Sequence, residues 1–150
     1  MYRRFSFEAE TDQTLACVPL AVRRKLDLAA LKISLAGWQS LPRAQRLALC
    51  HLPVDGDGDL DVYREVLEGL AESAGIELKP LPPLTPEAWN PRDIPPRVAE
   101  RAGAMGIALG HDAWRGLDKE TRYCLWKYAT TKDDAAKVRA LFAEAFAAPR

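Results

Sequence analysis

Val18-Pro19-Leu20-Ala21-Val22-Arg23-Arg24-Lys25-Leu26-Asp27-Leu28-Ala29-Ala30 is the stretch on which the fold turns. Pro19 marks a helix start, because its ring presets the backbone angle and its missing amide is one that a helix start leaves unbonded anyway. Val22, Leu26, Ala29 and Ala30 then recur at i, i+4, i+7 and i+8, the spacing of one helical face. A shorter turn begins near Ser34 and carries Trp38 and Leu41, and Pro42 opens a third helix through Leu47, Leu49, Cys50 and Leu52.

The same pattern returns 76 residues later. Under that shift Val18-Pro19 falls on Ile94-Pro95, Val22 on Val98, Lys25 on Arg101, Leu31 on Ile107, Ile33 on Leu109, Trp38 on Trp114, Leu41 on Leu117, Arg46 on Arg122 and Leu49 on Leu125. No gap is needed from 18 to 49. Asp118 replaces Pro42 in the second copy, and an aspartate at that place caps an orphan amide where the proline presets an angle. With only two copies, the simplest reading is a duplicated helical unit rather than a solenoid.

Two further helices flank the copies. Leu60 to Ala74 carries Leu60, Tyr63, Leu67, Leu70, Ala71 and Ala74 on one stripe with Gly75 as its stop, and Asp133 to Ala147 places Val138, Leu141, Phe142 and Ala145 on one face. Period-two alternation is confined to Tyr2 through Glu8. Seven of the 11 prolines lie between Pro80 and Pro96, which makes that stretch an extended connector. It carries Leu81, Leu84, Trp89 and Ile94, so it is expected to lie against the core and join the halves. The expected fold is all-α, one domain over 1–150. It comprises two internally repeated helical units, about 18–52 and 94–128, with connecting and C-terminal helices and a short extended N-terminal arm.

Composition narrows the function classes. A chain of 150 residues with 48% hydrophobic and 28% charged residues is an ordinary globular domain. Lys and Arg number 21, as do Asp and Glu, so no positive excess drives phosphate binding, and nucleic acid is not an expected partner. The balance holds along the chain, with 9 basic and 11 acidic residues in 1–75 and 12 basic and 10 acidic in 76–150. Cys17, Cys50 and Cys124 stand far apart with no paired spacing, which fits a reducing cytoplasm better than a disulfide framework or a zinc site. No apolar run approaches the ~20 residues that span a bilayer, and the N-terminus lacks the apolar core of a leader, so no membrane partner is expected.

Local motifs supply little chemistry. Asp55-Gly56-Asp57-Gly58-Asp59-Leu60-Asp61 sets carboxylates at alternate positions like a calcium loop, yet Leu60 stands where the turn needs glycine and Val66 where a bidentate glutamate is required. An acidic loop whose last aspartates cap the following helix is the simpler reading. His51 and His111 have no second histidine at ligand spacing; Cys50-His51 is mere adjacency, with side chains about 100° apart on a helix. Trp38 and Trp114 read as core anchors, and Arg46 and Arg122 as packed stems whose guanidinium groups bond nearby carbonyls or acids. Catalytic, cofactor-binding and metal-binding residues are therefore all expected to be absent, as is any cofactor.

Resemblance adds a family. In Phe5-Ser6-Phe7-Glu8, Leu15-Ala16-Cys17-Val18-Pro19, Val22-Arg23-Arg24-Lys25-Leu26-Asp27, Leu31-Lys32-Ile33-Ser34-Leu35 and Trp38, then Ile94-Pro95-Pro96 and Trp114, the chain resembles the nitrate reductase-associated protein family, almost end to end. Val18 and Leu20 replace the family's isoleucine and methionine, and Ala30 stands where the family usually has glycine. The acidic middle loop is less family-like. The resemblance implies a small bacterial accessory protein of nitrate assimilation. It would serve the assembly, maturation or full activity of assimilatory nitrate reductase through protein–protein interaction, with no catalytic residues to carry over.

The expected partner is that reductase or its maturation machinery. Where the copies differ, they are free to specialise: Arg23-Arg24 becomes Ala99-Glu100, so Arg23, Arg24 and Lys25 are expected to form an exposed basic docking face. The reading from a different class is a small-ligand or regulatory helical module holding an anion or cofactor in a cleft between the halves.

Overall fold

Proline, serine, aspartate and glycine start the helices seen in the computed structural model, which describes residues 2–8 and 15–146 and has eight α-helices among them. The chain divides into two compact units, Met1–Leu84 and Thr85–Arg150.

In the first unit, α1 (Leu20–Ala29) begins at Pro19 and ends at Ala30, which takes the left-handed conformation at φ 58°. Next come β1 (Leu31–Lys32), α2 (Leu35–Ser40), α3 (Arg43–His51) and α4 (Asp59–Ala74). The Ser34 hydroxyl accepts from the Gly37 amide at 2.9 Å and so caps α2, while Pro42 stands at the cap of α3. α4 is bounded by Gly58 and Gly75, both at positive φ, where a side chain would be strained. β2 (Lys79–Pro80) closes the unit by pairing antiparallel with β1, Leu31 opposite Pro80 and Lys32 opposite Lys79. This two-stranded sheet was not foreseen, because a two-residue strand has no periodicity to read.

Expected as a helix with one apolar face, α1 is buried at eight of its ten residues. It packs against α3, α4 and β1, so almost every side meets another element. The core of this unit includes Val22, Leu26, Trp38, Leu49, Tyr63 and Leu67.

The N-terminal arm departs from expectation. Tyr2 to Phe5 is irregular and Ser6–Glu8 forms a 3-10 turn, closed by the Glu8 amide on the Phe5 carbonyl at 2.9 Å and by the Phe5 amide on Glu8 Oε1 at 3.0 Å. The alternation that read as extended comes from Phe5, which is buried, and Phe7, half-buried and stacked on it at 5.7 Å.

The second unit holds α5 (Pro96–Ala104), α6 (His111–Gly116), α7 (Lys119–Thr130) and α8 (Ala135–Ala145). Asp118 accepts from the Thr121 amide at 2.9 Å and Asp134 from the Lys137 amide at 3.1 Å, the caps of α7 and α8. α7 packs against α5, α8 and the 3-10 turn Pro86–Trp89. Trp89 is 2% exposed, with its ring 4.9 Å from Tyr123 and 5.3 Å from Trp126. The proline-rich connector thus divides: Lys79–Pro80 is a strand of the first unit, and Trp89 is core of the second. The expected end of the last helix, Ala147, lies outside the described residues.

Boundaries correspond between units at a shift of 76. Helices start at 20 and 96, 35 and 111, 43 and 119, 59 and 135, and the left-handed residues after the first helix are Ala30 and Gly106. Packing diverges at the fourth helix. α4 lies on α1 and α3, whereas α8 lies along α7.

Candidate functional site

The basic run at 23–25 does not form one exposed face. Arg23 is exposed, but Arg24 is 3% and Lys25 7% exposed, because α1 is enclosed on nearly all sides. Arg24 makes a two-pronged pair with Asp55, both bonds at 3.0 Å. The Lys25 ammonium donates to the Cys50 carbonyl at 2.7 Å and to the Leu52 carbonyl, oxygens that the end of α3 leaves without intrahelical donors. It also lies 5.8 Å from the Tyr63 ring. Tyr63 donates to the Leu49 carbonyl at 2.9 Å, and burial, with a smaller contribution from Cys50, pushes its phenol pKa well above the usual range. Two of the three cations therefore hold the fold together, and of the three only Arg23 is exposed.

Both tryptophans that match across the copies are fully buried anchors. The Trp38 indole donates to the Leu15 carbonyl at 2.7 Å, and Arg46 donates to the same oxygen at 2.9 Å. In the second unit the Trp114 indole donates to the Asn90 carbonyl at 2.8 Å, and Arg122 donates to the Trp89 carbonyl at 3.1 Å and to the Leu117 carbonyl. Burial lowers the Arg122 pKa, against the opposing pull of Asp118 and Glu120. These arginines pin the segment before each unit's first helix; the expected bond to a nearby carbonyl is made by Arg122 on Leu117, whereas Leu15 and Trp89 lie 31 and 33 residues from the arginines they accept from.

The acidic loop is consumed locally. Asp55 holds Arg24, Asp59 accepts from the Gly56 amide at 2.9 Å, and Asp61 pairs with Arg64 at 3.3 Å. The helix cap there is Gly58 rather than an aspartate side chain, so Asp59 and Asp61 act on the first turn through their charge alone. His51 is exposed and meets Tyr2 edge-on at 5.3 Å, and His111 is the exposed first residue of α6 behind an uncapped Gly110. Cys50 and Cys124 are buried and Cys17 exposed, all as free thiols. Among the described residues, no three of His, Cys, Asp or Glu gather as metal ligands, and no helix is long and apolar enough to cross a membrane.

One site was not read from the sequence. In the second unit a groove of about 700 Å³ opens between the end of α5, the segment after it, α6 and α8. Met105, Ile107, Ala113, Phe142 and Phe146 line it with apolar side chains, and Arg139, exposed, is its charged member. Phe146 is 45% exposed, large for an aromatic ring on a surface. Such a lining suits apolar side chains with one anionic group, and not a small hydrated anion. Phe142 is legible as a member of the α8 stripe, but a concavity drawn from three elements leaves no local mark in the chain.

Against known proteins, the sequence model of one family, described as conserved nitrate reductase-associated protein, matches residues 4–145. No curated protein and no solved structure is significantly similar to the chain.

Proposed function

The chain belongs to the conserved nitrate reductase-associated protein family, and from that premise we propose that it is a non-catalytic accessory factor of nitrate assimilation. It binds assimilatory nitrate reductase, or a maturation intermediate of it, in the cytoplasm and supports the enzyme's assembly or full activity. The observation that carries the reading is the family match over nearly the whole chain. The physical picture is compatible: the buried polar groups described above serve helix ends and caps, and Arg23 is left facing outward on an otherwise enclosed helix. Arg23 is the proposed docking residue of this unit, with Arg24 and Lys25 holding α1 in place behind it.

A deletion strain grown on nitrate and on ammonium tests the function. We expect slowed growth and reduced nitrate reductase activity on nitrate alone, with the reductase recovered on the tagged protein in a pull-down. Equal growth and activity on both nitrogen sources reject the proposal. Arg23→Glu then tests the surface. Capture of the reductase should weaken while folding stability changes only by the roughly 0.5 kcal/mol of a surface substitution. Arg24→Glu should instead destabilise the fold by about 1–3 kcal/mol, since it leaves buried polar groups unmatched.

A further inference from the structure

The two units differ in what covers the end of their first helix. In the first unit the segment after α4 returns over Ala30 to Lys32: Lys79–Pro80 pairs with Leu31–Lys32, and the Leu81 amide donates to the Ala30 carbonyl at 2.8 Å. Ile76 seats against Gly37 so closely that a Cβ built there would meet its Cγ2 at 2.9 Å. The shift of 76 carries these positions to Gly106, Ile107–Ala108 and Ala113. Among the described residues, no strand pairs with Ile107–Ala108 and no backbone amide donates to the Gly106 carbonyl, while the Ile107 amide turns back to the Ala102 carbonyl at 2.8 Å. The groove lies at that place.

We propose that the groove is a docking site for an extended segment of a partner protein, apolar at alternate residues and carrying a carboxylate, seated as an added strand along Gly106–Ala108. An exposed, unpaired backbone edge is a template for strand addition, with main-chain bonds giving affinity and flanking pockets giving selectivity. Side chains on alternate residues of the segment enter the groove between Ile107, Phe142 and Phe146. Charge complementarity fixes the acidic element: Arg139, exposed in the groove's lining, makes no ion pair among the described residues, and a guanidinium is suited to a carboxylate. The chain displays the fitting chemistry in its own strap, Ile76-Glu77-Leu78, which precedes β2 in the first unit. The proposal stands whether or not nitrate reductase supplies the segment.

The test uses the full chain and a labelled synthetic peptide of residues 75–84, Gly-Ile-Glu-Leu-Lys-Pro-Leu-Pro-Pro-Leu, added in trans and followed by fluorescence anisotropy. We expect saturable binding, weakened about tenfold by Arg139→Glu, by a carboxylate placed in the groove's lining on α8 with Ala143→Glu, or by Glu→Gln at the peptide's only carboxylate side chain. Ala108→Pro, which deletes the amide an added strand needs, should weaken binding while leaving the melting curve in place. Absence of saturable binding overturns the proposal, as does binding that Arg139→Glu and Ala108→Pro both leave unchanged, which points to displacement of the strap in the first unit. If sodium dodecanoate protects the protein thermally and the peptide does not bind, the groove takes a small amphiphile and strand docking is wrong.

Discussion

Ala30 sits in the left-handed conformation at φ 58°, and Gly106, 76 residues on, sits there at φ 71°. That conformation costs a residue with a Cβ about 1–2 kcal/mol, so a glycine would occupy position 30 with less strain than Ala30 does. Glycine returns part of the gain through its greater freedom in the unfolded chain, about 0.5–1 kcal/mol. Ala30→Gly should therefore stabilise the protein by about 0.5–1 kcal/mol, a rise of roughly 1–4 °C in calorimetry. Gly106→Ala should cost about 1 kcal/mol from backbone strain alone, since an added Cβ there meets nothing within 4 Å. Equal melting temperatures for Ala30→Gly and the parent protein would show that the site is not strained. Leu15 also lies at positive φ, 53°, and its carbonyl receives both the Trp38 indole and the Arg46 guanidinium. Nothing in a leucine announces that role, whereas the role of Asp118 as a cap was legible, because capping needs only the aspartate and an amide three residues on.

The joining of α1, α3 and α4 rests on polar contacts at helix ends. Lys25 from α1 and Tyr63 from α4 both donate to carbonyls in the last turn of α3 or just beyond it. Tyr63 gives this junction a pH signature. In the unfolded chain the phenol ionises near pH 10, while in the fold burial keeps the proton on to higher pH. The folded state then holds more protons than the unfolded state above pH 10. Stability is complete below that pH and falls as pH rises past it, by up to about 1.4 kcal/mol per unit. Urea midpoints followed from neutral to strongly alkaline pH should show this fall. Tyr63→Phe should lower the midpoint at neutral pH by about 1 kcal/mol for the lost hydrogen bond and flatten the alkaline slope. An unchanged slope in the variant would assign the alkaline loss to other groups. The periodicity of α4 marked Tyr63, Leu67 and Ala71 as core, and they are buried, but it carried no sign of which carbonyl the hydroxyl would reach.

Duplication is the proposal at the scale of the whole chain. Residues 18–49 and 94–125 should superpose helix on helix in an experimental structure, with each indole bonded to the segment before its unit's first helix; unlike surroundings for Trp38 and Trp114 would overturn it. The fourth helices, outside the expected repeat, start 76 residues apart but pack differently, since α4 lies on α1 and α3 while α8 follows α7. By itself the sequence determined the helical class, the helix starts at Pro19, Pro42, Pro95 and Asp118, the stop at Gly75 and the buried tryptophans. These depend on caps, turns and spacings within a few residues, interactions that the chain makes with itself locally. Only the tertiary structure decided that Arg24 and Lys25 are interior and that an apolar groove lies open beside Arg139. Whether a cation on a helix meets water or a carbonyl depends on what packs over it, here Asp55 and the end of α3, some 25 to 31 residues away in the chain. The groove depends in the same way on α5 and α8 both packing against α7, which no residue spacing within one helix encodes.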